Sequence, residues 1–436
     1  MAGGEVRPPG HRAAAVVERS TSLWRNRGFA AFWFGESVSL FGSQVTFVAL
    51  PLLAMLTLDV SAAQLGTLRF AEYLPFLGFT LFFGVLADRV RRRTLMIASN
   101  AVRAVLVAIV PLCTMLGLMR LPLLVVIAFL VGTCSAMFEV CWLSYVPGLV
   151  DRDRLVEAMG KVSASHSAAE VAGPGLGGVL VQLLSAPIAL LVDAVSYLAA
   201  TVSLALVRQP EPRAEAHEPR RPVARELADG LRFAFREPHI RATAFSAALG
   251  NFFALITETV FLVYAVRELR LSPAFVGLTL SALGMGGVLG AAFAGRLARS
   301  FPVGRLYVIA RTVGAAGTLL LPLASGPTPV VVGLCMLSFF VWQAALANTN
   351  VINASLRQVL TPEHLRGRVN ASVRTLVFGA LPLGGLVGGL LGGLVGLKAA
   401  LWLGAIGYAF SIVPILLSPI PRLRTLPSDE SAMAPT

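Results

Sequence analysis

The sequence predicts an all-α integral membrane protein with twelve transmembrane helices, arranged as two parallel, pseudo-repeated six-helix bundles. Three observations lead there. The 436 residues are 56% hydrophobic and only 14% charged, with a mean hydropathy of +0.76, whereas a soluble chain is about a quarter charged. The apolar residues gather into twelve continuous windows of about 20, the length that crosses a hydrocarbon core. The two sets of six windows repeat the same punctuation.

The windows run roughly over 28–52, 65–87, 94–117, 121–146, 162–184, 187–207, 241–266, 274–298, 304–324, 328–352, 369–395 and 398–419. They are referred to as spans 1 to 12. A membrane barrel would instead show segments of about 10 residues alternating in polarity. Residues 1–27 form a basic tail without a signal-peptide apolar stretch, so span 1 is expected to persist in the mature chain. Residues 28–207 make the first bundle, 208–240 a linker rich in Pro, Arg and Glu, 241–420 the second bundle and 421–436 a second tail. The linker core, from Glu211 to Pro222, has the composition of a disordered segment.

Charge sets the expected orientation. Of 36 Lys and Arg, 28 fall on the side of the tails and linker and 5 on the other (Arg69, Arg120, Arg267, Arg270, Lys398), while Arg103, Arg311 and Arg374 lie within spans. The positive-inside rule places both tails in the cytoplasm of a cell that carries the protein in its plasma membrane. The net charge of +13 is thereby a topology signal. Its natural partners are anionic lipid headgroups, not nucleic acid. Cys113, Cys134, Cys141 and Cys335 all sit in apolar runs and read as small apolar residues, so neither a disulfide framework nor a metal site is expected.

The halves repeat at a nearly constant offset. Gly84-Val-Leu-Ala-Asp88 after span 2 matches Gly295-Arg-Leu-Ala-Arg299 after span 8, Asp151–Leu155 matches Thr361–Leu365, and Arg103 matches Arg311. Offsets of 211, 210 and 208 recur too closely for chance, and an even number of spans per half makes the repeats parallel.

The 6+6 layout and the run Gly84-Val-Leu-Ala-Asp88-Arg89-Val-Arg91-Arg92-Arg93 together resemble the major facilitator superfamily, over about residues 25–420. That family carries G-x-L-a-D-r-x-G-r-[RK] between spans 2 and 3, and Arg91 replaces its second Gly. The resemblance implies that Asp88 pairs across the interface of the halves in the outward-facing state, while Gly84, Arg89 and Arg92 complete the motif. Solvated, topology-setting arginines are the alternative reading. Span 5 carries Gly160, Ala169, Gly173-Pro174 and Gly177-Gly178. The spacing resembles the G-x8-G-x3-G-P-x2-G-G motif of proton-exchanging exporters, with Ala169 in place of one Gly. Pro174 can bend the helix and the glycines admit a close neighbour, and an ordinary packing face explains the same residues. Spans 8 and 11 carry further glycine-rich faces, expected where the halves slide on each other.

Ionisable residues inside a bilayer are costly and mark function. The resemblance implies that spans 1, 4, 7 and 10 line a central cavity. Glu36, Glu139 and Glu258 then become candidates for proton coupling, with Gln44, Asn251, Gln343 and Asn348 as neutral lining. Glu36, about 10 Å in from the cytoplasmic end, leads. Structural ion pairing is the competing reading for each acid. Arg103, Arg311 and Arg374 are expected to snorkel or pair, Glu72 and Asp193 to lie near the outer interface, and His166 to be interfacial. No nucleotide-binding or hydrolase motif occurs and no cofactor is expected, so the chain is not an enzyme and its energy must come from a gradient. The expected function is proton antiport of small amphipathic molecules by a monomer, similar to macrolide-efflux and siderophore-export proteins. An uptake symporter or uniporter, or a non-transporting protein such as a lipid scramblase, is the alternative.

Overall fold

The computed structural model describes residues 23–208 and 223–425, and every structural statement of absence below refers to these. The N-terminal half holds α1 (Arg27–Thr57), α2 (Ala62–Gly78), α3 (Thr80–Arg89), α4 (Arg92–Met115), α5 (Leu121–Tyr145), α6 (Leu155–Leu184) and α7 (Ala186–Leu206). A linker helix α8 (Val223–Arg236) follows. The C-terminal half holds α9 (Pro238–Arg267), α10 (Pro273–Ser300), α11 (Val303–Thr318), the short α12 (Leu320–Leu323), α13 (Thr328–Leu360), α14 (Arg366–Leu394), α15 (Leu397–Phe410) and the short α16 (Val413–Leu416). Eleven helices are long and apolar enough to cross a bilayer, and α2 with α3 forms a twelfth, bent by 57°. The fold is all-α, as expected.

The second span is broken where its sequence weakens it. Pro75 withholds a backbone donor and Gly78 follows one turn later, so α2 ends and α3 restarts at a new angle. Gly84, Asp88 and Arg89 therefore stand on a helix, not in a loop, and Arg92 opens α4. The arginines do more than sit in solvent. Arg93 Nε donates to the Leu204 carbonyl at 2.9 Å and Arg92 to that of Ser144 at 3.2 Å. Cations at helix C-termini satisfy carbonyls left without helical partners.

The linker differs from its composition as well. Residues 209–222, with the whole of the disordered-looking core, lie outside the described residues. Beyond them α8 packs on α14, its Leu227 carbonyl accepting from Ser372 Oγ at 3.0 Å and its Gly230 seated against the Arg368 backbone. Leu227, Gly230, Leu231 and Ala234 form one apolar stripe within a charged segment, which average composition conceals.

The repeat is visible residue by residue at an offset of 211. Ser61 and Ser272 cap α2 and α10. Asp59 and Arg270 take positive φ (47° and 52°) in the turns before those caps, as do Ser185 and Gly396 (82° and 87°) before α7 and α15. The halves meet along two crossings, α2 with α14 and α6 with α10. Gly66 of α2 lies against Gly389 of α14, and its 211-residue counterpart Gly277 of α10 lies against Gly178 of α6.

Candidate functional site

Both crossings are built on absent side chains. A Cβ on Gly66 would stand 2.7 Å from the Gly385 carbonyl oxygen and 2.8 Å from Gly389 Cα. One on Gly178 would reach Gly277 Cα at 2.9 Å. Gly177 sits on Val45 of α1, and its counterpart Gly388 sits on Ile256 of α9. Gly173 rests on the Gln44 side chain, so Gln44 is a packing contact. Pro174 leaves the Glu170 carbonyl without its helical donor, and Gly284 of α10 closes on that same carbonyl. Of the span 5 glycines, Gly178 thus joins the halves while Gly173 and Gly177 pack α6 on α1 of their own half, and α14 repeats the division with Gly389 across the halves and Gly388 on α9. Gly160 does not belong to this set, for nothing lies within 4 Å of a Cβ there. Gly84 is likewise in open space.

The seal lies toward the end of the bundle opposite the arginine-rich loops, and polar contacts reinforce it. Ala274 N donates to Gln182 Oε1 at 3.2 Å, and Arg267 donates to Asp59 Oδ1 at 2.7 Å. Below them is Arg69, only 1% exposed. Its guanidinium donates to Glu72 Oε2 at 2.9 Å and, across the halves, to Glu258 Oε1 at 3.2 Å, with the Phe47 ring centroid 5.2 Å away. The sequence suggested an external Arg69 and an interfacial Glu72. The window began too late, at 65, and hid that Arg69 stands two turns into α2. Glu258 is thus held across the halves by a buried cation.

Toward the arginine-rich end a second ion pair crosses the halves. Arg374 of α14 donates to Glu139 of α5, and both side chains are 36% exposed. For Arg374 the structural pair expected of it is what the structure holds. Arg103 and Arg311 neither snorkel nor pair with an acid. Arg103 donates to Asn100 and lies 4.3 Å from the Tyr197 ring centroid, while Arg311 donates to Ser246 Oγ at 2.8 Å and Tyr408 Oη at 3.1 Å. Both stand more than two turns into their helices, too far from the ends to reach water.

Between the two ion pairs is Glu36. It is half-buried on α1, and among the described residues no side chain bonds to its carboxylate, though Arg103 and His166 lie within electrostatic reach. His166 pairs with Glu170 one turn on, at 3.5 Å, and both are about half exposed deep within α6. Half-exposed charge at that depth marks a water-accessible space, so His166 is not interfacial. Of the neutral lining candidates, Asn251 bonds the Val377 carbonyl and Asn348, 7% exposed, bonds those of Gly290 and Ala344. They are inter-helix ties. Gln343 remains half-buried beside Gly287.

Two ion pairs and two glycine crossings thus join the pseudo-repeated bundles, and Glu36 lies apart from both ion pairs. The chain is 27% identical over 403 residues to the multidrug efflux pump Tap of Mycolicibacterium fortuitum, covering 88% of this chain and 93% of that one. It is 28% identical over 317 residues to the enterobactin exporter EntS of Citrobacter koseri, covering 70% and 72%. A bacterial homologue of the iron transporter ferroportin, solved in an inward-facing state, superposes with a TM-score of 0.73 at 18% identity, covering 91% and 99%. The nucleoside transporter NupG superposes at 0.71 and 11%, covering 89% and 99%. A family profile described as a transmembrane secretion effector matches residues 20–436. The chain is a multi-pass membrane transporter of small molecules, a member of the transmembrane secretion effector family within the major facilitator superfamily.

Proposed function

We propose that this transporter exports small amphipathic molecules from the cytoplasm in exchange for protons. The single observation that carries the reading is Glu36, an acid at membrane depth with no bonded partner, between an ion pair toward each end. A carboxyl locked to an arginine serves as a latch, whereas one without a partner can exchange a proton for a cationic or polar substrate group. The names of Tap and EntS, both exporters at low identity, support the direction.

Glu36→Gln keeps the size and removes the titration. Gradient-driven efflux in inverted vesicles should fall to the level seen without a gradient, with counterflow exchange of the same substrate retained. If efflux in this variant still follows the proton gradient, Glu36 is not the coupling acid.

The orientation carries its own expectation. With 28 of the Lys and Arg on the side of the tails and linker, a reporter after Leu426 should be cytoplasmic and one inserted near Ser272 external. A C-terminus labelled from outside intact cells would invert the direction of transport proposed here. On this orientation the arginine-rich end faces the cytoplasm, and the sealed end faces out.

A further inference from the structure

The two buried arginines stand about one turn apart in the repeat, Arg311 matching Asn100 at the 211-residue offset, and the helix faces around them differ in one acid. The 211-residue offset carries Thr46 to Thr257, Tyr197 to Tyr408 and Asp193 to Gly404. In the C-terminal half Gly404 lies so close to α9 that a Cβ would stand 2.6 Å from Thr257 Oγ1. In the N-terminal half a carboxyl fills that position. Asp193 is 0% exposed and accepts from Thr46 Oγ1 at 2.5 Å and Ser196 Oγ at 3.0 Å. No Lys or Arg nitrogen lies within 4 Å of it among the described residues. The expectation of an interfacial Asp193 fails for a geometric reason: it stands two turns into α7, on the face packed against α1.

The C-terminal half shows that this helix pair closes without an acid, so packing does not require one. A buried carboxylate without an adjacent cation costs several kcal/mol, and a neutral carboxyl avoids that cost. The groups that act on Asp193 are Arg103 from α4, Tyr197 on its own helix, and the hydroxyls of Thr46 and Ser196. From α1 the nearest titratable side chain toward the arginine-rich end is Glu36, on which Arg103 also acts. α6, the remaining neighbour of α7, brings no titratable group to bear on Asp193 among the described residues. Arg103 Nε, moreover, is buried without a hydrogen-bond acceptor.

We propose that Asp193 is a second proton-holding site, buried between α1 and α7, which shares Arg103 as its counter-charge with Glu36. One cation can balance one of the two acids. When Glu36 is ionised, Arg103 compensates it and Asp193 keeps its proton. When Glu36 takes up a proton, Arg103 can turn toward Asp193, whose O–H bond breaks and whose proton passes to water. Each step makes or breaks one O–H bond and needs no oxidant or reductant.

The role in transport rests on the proton-antiport reading, whereas the proton site itself can be tested apart from it. Infrared difference spectra of the purified full chain in lipid, recorded against pH, should show the C=O stretch of a neutral, dehydrated carboxyl. That band should vanish in Asp193→Asn, which keeps the hydrogen bonding, and in Asp193→Gly, which copies the residue of the other half and serves as the folding control. In Glu36→Gln, which mimics the protonated Glu36 and frees Arg103 for Asp193, it should weaken and be confined to lower pH. A band unchanged in both Asp193 variants overturns the proposal, whatever the transport result. Ethidium efflux under an imposed proton gradient provides the second arm. Asp193→Asn should lose at least about tenfold of the gradient-driven rate, and combining it with Glu36→Gln should cost less than the product of the two losses, because the acids share one cation. Losses that multiply would overturn the sharing. Loss of the band in the variants, with wild-type efflux indifferent to the gradient, would remove the antiport reading and leave the site standing.

Discussion

Replacing Gly66 with alanine is expected to open the seal between α2 and α14. The new methyl carbon would stand 2.7 Å from the Gly385 carbonyl oxygen and 2.8 Å from Gly389 Cα, both backbone atoms that no rotamer change can move. Overpacking of this kind costs about 1–3 kcal/mol, about fivefold to 150-fold in the ratio of sealed to open protein. Gly178→Ala should do the same at the α6–α10 crossing. The measurement is the distance distribution between spin labels at Thr67 and Lys398, one on each half near the sealed end. It should gain a longer component in both variants and none in Gly160→Ala, because that glycine faces open space although it belongs to the same sequence motif. Equal effects of Gly160→Ala and Gly178→Ala would show that helix flexibility, and not close approach, gives the motif its value.

Arg69→Ala should have an effect at least as large. It leaves Glu72 and Glu258 facing each other without the cation between them, and breaking a buried pair from one side costs about 3–5 kcal/mol. Because the Arg69–Glu258 contact joins the halves where they are sealed, the loss is expected as a shift of about a hundredfold or more toward an open state. Efflux should fall with protein still in the membrane. The double variant Arg69→Ala, Glu258→Gln should recover part of the seal, since no buried acid then faces Glu72 across the halves. The same labels at Thr67 and Lys398 report both. A double variant no better sealed than Arg69→Ala alone would mean that Arg69 acts through its packing on Phe47 and Gly385.

Asp193 and Arg69 show what a window of hydropathy misses. Both are expected near the outer surface, Arg69 because span 2 is drawn from 65 while α2 starts at Ala62 and a helix carries a residue about 1.5 Å deeper for each residue of error, and Asp193, whose span starts within one residue of α7, because two turns from the helix end counts as interfacial in a linear reading. The angular position matters equally. Glu139, Glu258 and Glu36 look alike as acids in cavity helices, but two of them point at arginines contributed by the other half and the third does not. Sequence spacing within one helix cannot report which residue waits some 190 or 235 positions away. Gly160 and Gly178 look alike too, and only the neighbour separates them. The kink of α2 and the helix in the linker were legible in part, through Pro75 with Gly78 and through the apolar stripe of α8.

What the sequence determined by itself was the class, the number of spans, the parallel repeat and the family resemblance. Each follows from properties summed along the chain: apolar length against membrane thickness, and a periodic punctuation of glycine, proline and charge. The tertiary structure alone decided which glycines touch, which acids are latched and which carboxyl is left without a partner. Those are properties of pairs of residues distant in the chain. At the seal they depend on contacts of a few ångströms, which leave no room for one added methyl group at Gly66 or Gly178.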